Sequence, residues 1–440
     1  MKKLIQTITN IFKIEELRKR VLYTLGLLVI YRLGSFIVLP GIDGSMLADS
    51  SLSQQASEGL VGLLNMFSGG AFGNASIFAL GVMPYISASI VIQLLGVFVP
   101  YFRKLQMEGE SGRRKMNQYT RFLTIAIICI QGPAYMANLY SQIPDAIMHG
   151  WSNQFWFTLV STLILLGGTM FVMWLGERIT DRGIGNGVSL IIMVGIIARL
   201  PFALTAEVVD KFGKGGPLFL IVELVILFFI FVAAIALVQA VRKVPVQYAK
   251  RVVGNKQYGG VRQYIPMKIN AAGVMPIIFA QALMLFPVIF QRFDSTRELA
   301  ATFGYGSFWY NFTFAILVVL FTYFYTAVTV NPTMMADDMR KNGGFIPGVK
   351  PGKKTAEYLD SIMSRVTLPG SIFLALIAIL PAFAQKVGVN NQFASFFGGT
   401  SLLILVGVVL DTLQQIESHL LMRHYDGLMK TGRLTGRSGM

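Results

Sequence analysis

From Pro217 to Gln239 the only charged residue is Glu223. About 20 mostly apolar residues in a helix cross the ~30 Å hydrocarbon core of a bilayer, and this stretch has that length. Nine further stretches behave similarly: 21–39, 76–99, 122–140, 155–175, 187–204, 271–290, 308–330, 366–385 and 399–417. They are continuous, whereas membrane β-barrels show alternating segments of about 10 residues, so helices are favoured. Composition agrees. Only 14% of the 440 residues are charged, against about 25% in soluble proteins. So few charges cannot cover so much apolar surface. Disorder, collagen and a disulfide scaffold are excluded on the same grounds, since Cys129 stands alone and cannot form an internal bridge. The sequence predicts an all-α membrane protein with ten transmembrane helices.

The loops set the direction. With a cytoplasmic N-terminus, 31 of the 38 Lys and Arg fall in 1–20, 100–121, 176–186, 240–268, 331–365 and the tail from 418. The opposite loops carry 5, and the last two, Arg32 and Arg199, lie within spans. That asymmetry predicts both termini inside. The first span contains Arg32 and lacks a small-residue cleavage site, so it does not read as a secretory signal. Before it, Leu4, Ile5, Ile8, Ile11, Phe12 and Leu17 recur at helical spacing among six basic residues of 1–20. This predicts an amphipathic helix over 1–20 lying on an anionic lipid surface.

Two inside loops carry more charge than topology requires. One holds Arg242, Lys243, Lys250, Arg251, Lys256, Arg262 and Lys268; the other holds Arg340, Lys341, Lys350, Lys353 and Lys354 among glycines and prolines. They read as projecting, turn-rich loops that dock an anionic partner, such as ribosomal RNA or an acidic protein face. The run Gly348–Thr355 is not a phosphate loop, because its glycine spacing is short and Lys354 separates Lys353 from Thr355. No catalytic constellation is evident. His149, His419 and His424 lie outside the spans or at the last one's end, and no serine sits in a nucleophile turn. No metal site or cofactor is implied.

The interior is poor in acids. Charges within spans, apart from Glu417 at the last one's final residue, are Arg32, Arg199, Glu223 and Asp411. Arg199 and Glu223, near span ends, are expected to snorkel, and Arg32 to pair as a structural lock. Leu60, Val61, Leu63, Leu64, Met66 and Phe67 run into Ser68, Gly69 and Gly70. That piece is too short to cross and reads as a half-helix folded back into protein. Spans two, five and seven carry Pro84, Ser87, Ser89 and Gln93; a short apolar core after Gly183–Gly187; and Asn270, Pro276, Gln281 and Pro287. Polar, kinked helices belong inside a bundle, and the uniform sixth and eighth spans face lipid.

The stretches "FALGVMPYISASIVIQLL" (78–95), "EGESGRRK" (108–115), "MWLGERITDRGIGNG" (173–187), "INAAGVMPIIFA" (269–280), "FYTAVTVNP" (324–332) and "GGTSLLI" (398–404) resemble the SecY family of protein translocon channel subunits, in order along essentially the whole chain. The resemblance implies two pseudo-symmetric inverted halves of five helices, 21–204 and 217–417, around a central hourglass pore that opens sideways to lipid. A cytoplasmic tail follows from 418. The family's aliphatic pore ring matches Val82, Ile86, Val188, Ile192, Ile278 and Ile404. Its plug matches about 60–75, with Leu60, Leu63, Leu64, Met66, Phe67, Ser68, Gly69, Gly70 and Phe72. Its lateral gate matches Ser87, Gln93, Asn270 and Phe286. The resemblance also implies small SecE and SecG subunits, and docking of the SecA motor or the ribosome on the basic loops. Lys350 stands where many relatives carry arginine, and lysine lacks the planar fork. The expected function is a channel that translocates unfolded secretory polypeptides across a bacterial plasma membrane and lets signal sequences and other hydrophobic segments out into lipid. It is a passive channel and not an enzyme. The alternative is an ion-coupled small-solute transporter.

Overall fold

The computed structural model describes residues 14–43, 62, 65–142, 153–214, 216–248, 251–253, 256–258, 262–284 and 307–431. Residues 1–13 of the expected amphipathic helix lie outside them. In chain order the helices are α1 (Glu15–Gly34), α2 (Met83–Phe98), α3 (Pro100–Met107), α4 (Glu110–Gln142), α5 (Gln154–Arg182), α6 (Gly187–Lys214) and α7 (Pro217–Gln239). Strands β1 (Val241–Tyr248), β2 (Arg251–Val253), β3 (Lys256–Tyr258) and β4 (Arg262–Lys268) follow. Then come α8 (Met275–Leu283), α9 (Phe308–Thr329), α10 (Pro332–Lys341), β5 (Gly344–Phe345), α11 (Lys353–Lys386), α12 (Asn391–Ala394) and α13 (Gly399–Thr431).

Each of the ten expected stretches contains a helix. Seven helices of the described residues are long and apolar enough to cross a membrane, or eight if α2 and α3 count as one broken span. The break has a local cause. Val99 precedes Pro100, whose ring disfavours helical backbone at the residue before it, and Val99 is extended at φ −106°, ψ 119°. The chain turns by 99°, and α3 buries Leu105 while exposing Arg103 and Lys104. α7 reproduces its predicted bounds and buries only Glu223, Ala234 and Leu237, as a lipid-facing helix should. α9 departs from that expectation on one side, burying Tyr310, Phe314, Val318, Thr322 and Thr326 at four-residue spacing.

The chain forms two compact units, 1–201 with 408–440, and 202–407. In the first, Leu39, Ile42, Ala75, Ala79 and Leu80 pack with Ile128 and Met136 of α4 and Phe157 and Leu165 of α5. Side chains from two other helices fix the α5–α6 turn. Thr24 Oγ1 of α1 accepts from Ile184 N at 3.1 Å, and Gln415 Oε1 of α13 accepts from Gly185 N at 2.9 Å.

In the second unit the two basic loops are not separate projecting loops. β4, β1 and β5 form one antiparallel sheet, in that order, with Val244 opposite Ile265 and Gln247 opposite both Arg262 and Phe345. Val244 and Val246 point to one side, two residues apart, and bury against Met267, Met339 of α10, Ile346 and Leu359 of α11. Pro266 is tolerated because β4 is an edge strand.

Candidate functional site

Between α1 and α2 the backbone is not regular helix, yet it is buried. Helical residues 65–67 lead into turns that continue to α2. Met66, Phe67, Ser68, Ala71, Ala75, Ser76, Phe78, Ala79, Leu80 and Val82 are all buried. Backbone polar groups so placed need partners, because lipid supplies none. Four helices supply them or make room. Tyr31 of α1 donates its hydroxyl to Ser68 O at 3.1 Å, and Arg32 donates Nη1 to Gly69 O at 2.6 Å. Tyr135 of α4 donates to Phe72 O at 2.8 Å. Within the segment, Asn65 Oδ1 accepts from Gly73 N at 2.9 Å, and Ser68 Oγ accepts from Phe72 N at 3.0 Å. α5 approaches so closely that a Cβ on Gly168 would fall 2.1 Å from Ile77 O.

The glycine pair makes the fit against α6 possible. Gly69 and Gly70 have φ of +65° and +96°, a region costly to other residues. A Cβ on Gly69 would lie 2.8 Å from Gly195 Cα, and one on Gly195 would lie 3.1 Å from both Gly69 N and Phe67 O. Two backbones thus touch without side chains between them. The expected half-helix is therefore a short helical start followed by a buried, turn-rich strap. Leu60, Leu63 and Leu64 lie outside the described residues.

The sequence marked Arg32 as a lock, and it is one, but its acceptor is a carbonyl and not a carboxylate. Arg199 was expected to snorkel. It instead turns to the strap, where a Cβ on Gly70 would meet its Nη2 at 2.7 Å. Glu223 does not snorkel either. It is 7% exposed and pairs with Lys211 Nζ at 2.8 Å. That lysine also approaches Glu207 Oε1 at 3.5 Å and donates to Gly388 O at 2.8 Å, while Asn390 N donates to Glu207 Oε2 at 2.8 Å. Glu207 and Lys211 are one helical turn apart, but nothing in the sequence linked them to Glu223 or to the backbone at 388–390. Asp411 is exposed.

The other predicted residues divide between the units. Val82 is the N-cap of α2 and is buried; Ile86 is half-buried on α2. Val188 opens α6 with Cγ2 packed towards Gly176 of α5, and Ile192 is buried one turn on. These four belong to the first unit. Ile278 on α8 is half-buried and Ile404 on α13 is buried, both in the second. Ser87 and Gln93 are half-buried on α2, where Gln93 Nε2 donates to Ser89 Oγ at 3.2 Å. Asn270 is 6% exposed, and its Oδ1 has no hydrogen-bond partner among the described residues. Phe286 and Lys250 lie outside those residues. Arg242 and Lys243 are exposed on β1, Arg251 and Lys256 begin β2 and β3, and Lys350 is exposed after β5.

Seven or eight described helices long and apolar enough to cross a membrane, with a buried, turn-rich strap in the first unit, define a multi-pass helical membrane protein. Residues 76–413 match the model of the SecY family, and the chain belongs to that family. It is 43% identical over 438 residues to the protein translocase subunit SecY of Streptomyces scabiei, covering 95% of this chain and 98% of the relative. It is 38% identical over 455 residues to that of Chlamydia trachomatis serovar D, covering 98% and 99%. Among solved structures it is similar to one described as a protein conducting channel, with TM-score 0.60, 15% identity, and 91% and 92% of the two chains covered. It is also similar to Sec61 in a canine ribosome–channel complex, with TM-score 0.57, 15% identity and the same coverage. At such identity these structures establish the shared fold. The comparisons support the channel reading and not the solute carrier.

Proposed function

We infer that the chain is the channel subunit of a bacterial protein translocon. It conducts unfolded secretory polypeptides across the plasma membrane and releases hydrophobic segments sideways into lipid. The observation that carries this reading is the buried strap over 65–82. Irregular backbone at membrane depth persists only where protein encloses it or a cavity adjoins it, and a channel that must stay shut between substrates needs such a removable filler.

In this reading the strap is the plug, and Val82, Ile86, Val188, Ile192, Ile278 and Ile404 form the constriction. Branched aliphatic side chains offer no fixed hydrogen bonds. They close around an arbitrary chain without holding it, and exclude water by dewetting when unoccupied. A signal helix gains about 0.3–0.6 kcal/mol per Leu-like residue by partitioning into lipid, so a parting seam lets the bilayer sort substrates. Ser87, Gln93, Asn270 and Phe286 belong to that seam. Both termini are cytoplasmic. Arg242 and Lys243 of β1, Arg251 and Lys256 of the β2–β3 pair, and Lys250 and Lys350 together dock the SecA motor or the ribosome. SecE and SecG accompany the chain, and anionic lipids hold its N-terminal segment. The protein hydrolyses nothing itself, and the motive energy comes from the bound partner.

The test is a disulfide across the seam. Cysteines at Ser87 and Phe286, oxidised to completion in inverted vesicles, should stop export of a secretory precursor, and reduction should restore it. Full export through the bridged protein would reject the seam.

A further inference from the structure

Among the described residues the two arginines behind the strap pair with no acid. Arg32 Nη1 donates to Gly69 O at 2.6 Å, and its guanidinium lies 4.8 Å over the Phe36 ring. Arg199 sits against the next residue: a Cβ on Gly70 would fall 2.7 Å from its Nη2 and 2.9 Å from its Nε. Both are half-buried. Among the described residues neither forms an ion pair, although eight such pairs form elsewhere.

Unpaired charge inside a membrane protein is costly, and costlier for two like charges held against neighbouring residues of one strap. Holding the strap does not require it. Tyr31 and Tyr135 bond the carbonyls of Ser68 and Phe72 with neutral donors, and a glutamine could reach Gly69 in the same way. What positive charge adds is a field. An aliphatic constriction keeps out water, but once wetted it does not distinguish ions by sign, and protons pass along any water file. Fixed cationic groups beside a narrow path raise the barrier to protons and cations and lower it for anions.

We propose that Arg32 and Arg199 form an electrostatic barrier that turns back protons and cations from the path the strap closes. The proposal rests on the plug reading above. The arginines sit on α1 and α6, so the charge stays in place when the strap is withdrawn to pass a substrate. The membrane would then be protected when the seal is weakest.

The experiment compares the full chain, purified with its accompanying membrane subunits, in phosphatidylcholine–phosphatidylglycerol bilayers. Reversal potentials in a KCl gradient give the chloride-to-potassium permeability ratio, and an entrapped pH dye gives proton flux. Each is measured with the strap intact and with residues 65–75 deleted. In each background the arginines are native, both Gln (R32Q with R199Q) or both Lys (R32K with R199K). The deleted form should leak with chloride favoured. The Gln pair should lower that ratio about tenfold and raise proton flux, and the Lys pair should preserve both. A leaky deletion whose ratio does not change with the Gln pair overturns the barrier and leaves the plug standing, since a merely structural role raises both ions together. A deletion that leaves the leak unchanged overturns the plug reading, and the barrier with it.

Discussion

Replacing Gly69 by alanine tests the seating of the strap at its tightest point. At φ +65° an alanine costs about 1–2 kcal/mol where glycine costs little. Its Cβ would stand 2.8 Å from Gly195 Cα, and neither side is a side chain that can rotate away. Such overpacking costs about 1–3 kcal/mol. The same Cβ falls 3.1 Å from Arg32 Nη1 and crowds the 2.6 Å bond to Gly69 O, a charge-assisted contact worth about 1.5–3 kcal/mol. Counting only the first two at their middle values, the seated strap loses about 3.5 kcal/mol, or roughly 300-fold in its ratio to the unseated form. Passive chloride and potassium efflux from reconstituted vesicles should rise by about that factor until unseated molecules dominate. Gly26→Ala is the control. Nothing lies within 4 Å of its would-be Cβ, and helix propensity favours alanine by about 1 kcal/mol. The reasoning is refuted if Gly69→Ala vesicles hold ions as well as native ones while the protein melts at the native temperature.

Two further outcomes follow from contacts elsewhere. Lys211→Met strands Glu207 and Glu223 as buried carboxylates without their cation, so the detergent-solubilised protein should lose about 3–5 kcal/mol of stability, and an unchanged melting curve would contradict the pairing. Thr24→Val leaves the buried Ile184 N–H unpaired, at a cost of about 1–3 kcal/mol, and hydrogen exchange at the α5–α6 turn should quicken correspondingly; native protection there would show the bond to be dispensable.

The helices were legible because the signal is local. An apolar run such as 217–239 needs no knowledge of distant residues, and α7 matches it end to end. The strap was legible in outline, since a short apolar piece ending in Gly69 and Gly70 neither crosses nor stays in water. Its turns and its supports, Tyr31, Tyr135 and Gly195, were not, because each depends on a partner tens of residues away or more. The same holds for Lys211, whose neighbours Glu223 and Gly388 come from two other elements. The sheet of β4, β1 and β5 was the avoidable omission. Val244 and Val246 alternate with Lys243, Pro245 and Gln247, a period-two pattern that proline and glycine density nearby obscured. The positions assigned to the constriction could be named by resemblance alone, since valine and isoleucine there are indistinguishable from ordinary core.

α11 runs unbroken for 34 residues, about 50 Å at 1.5 Å per residue. One end, through Leu359, is embedded in the core beneath the basic sheet. Two residues past the other end, Gly388 is tied to the Lys211 cluster. A push on these strands, where the proposed function places a docking partner, would pass along this one helix, bent where Pro369 and Pro381 interrupt its hydrogen bonds, to the ionic cluster beyond its other end, giving this unit of the protein a mechanical axis of its own.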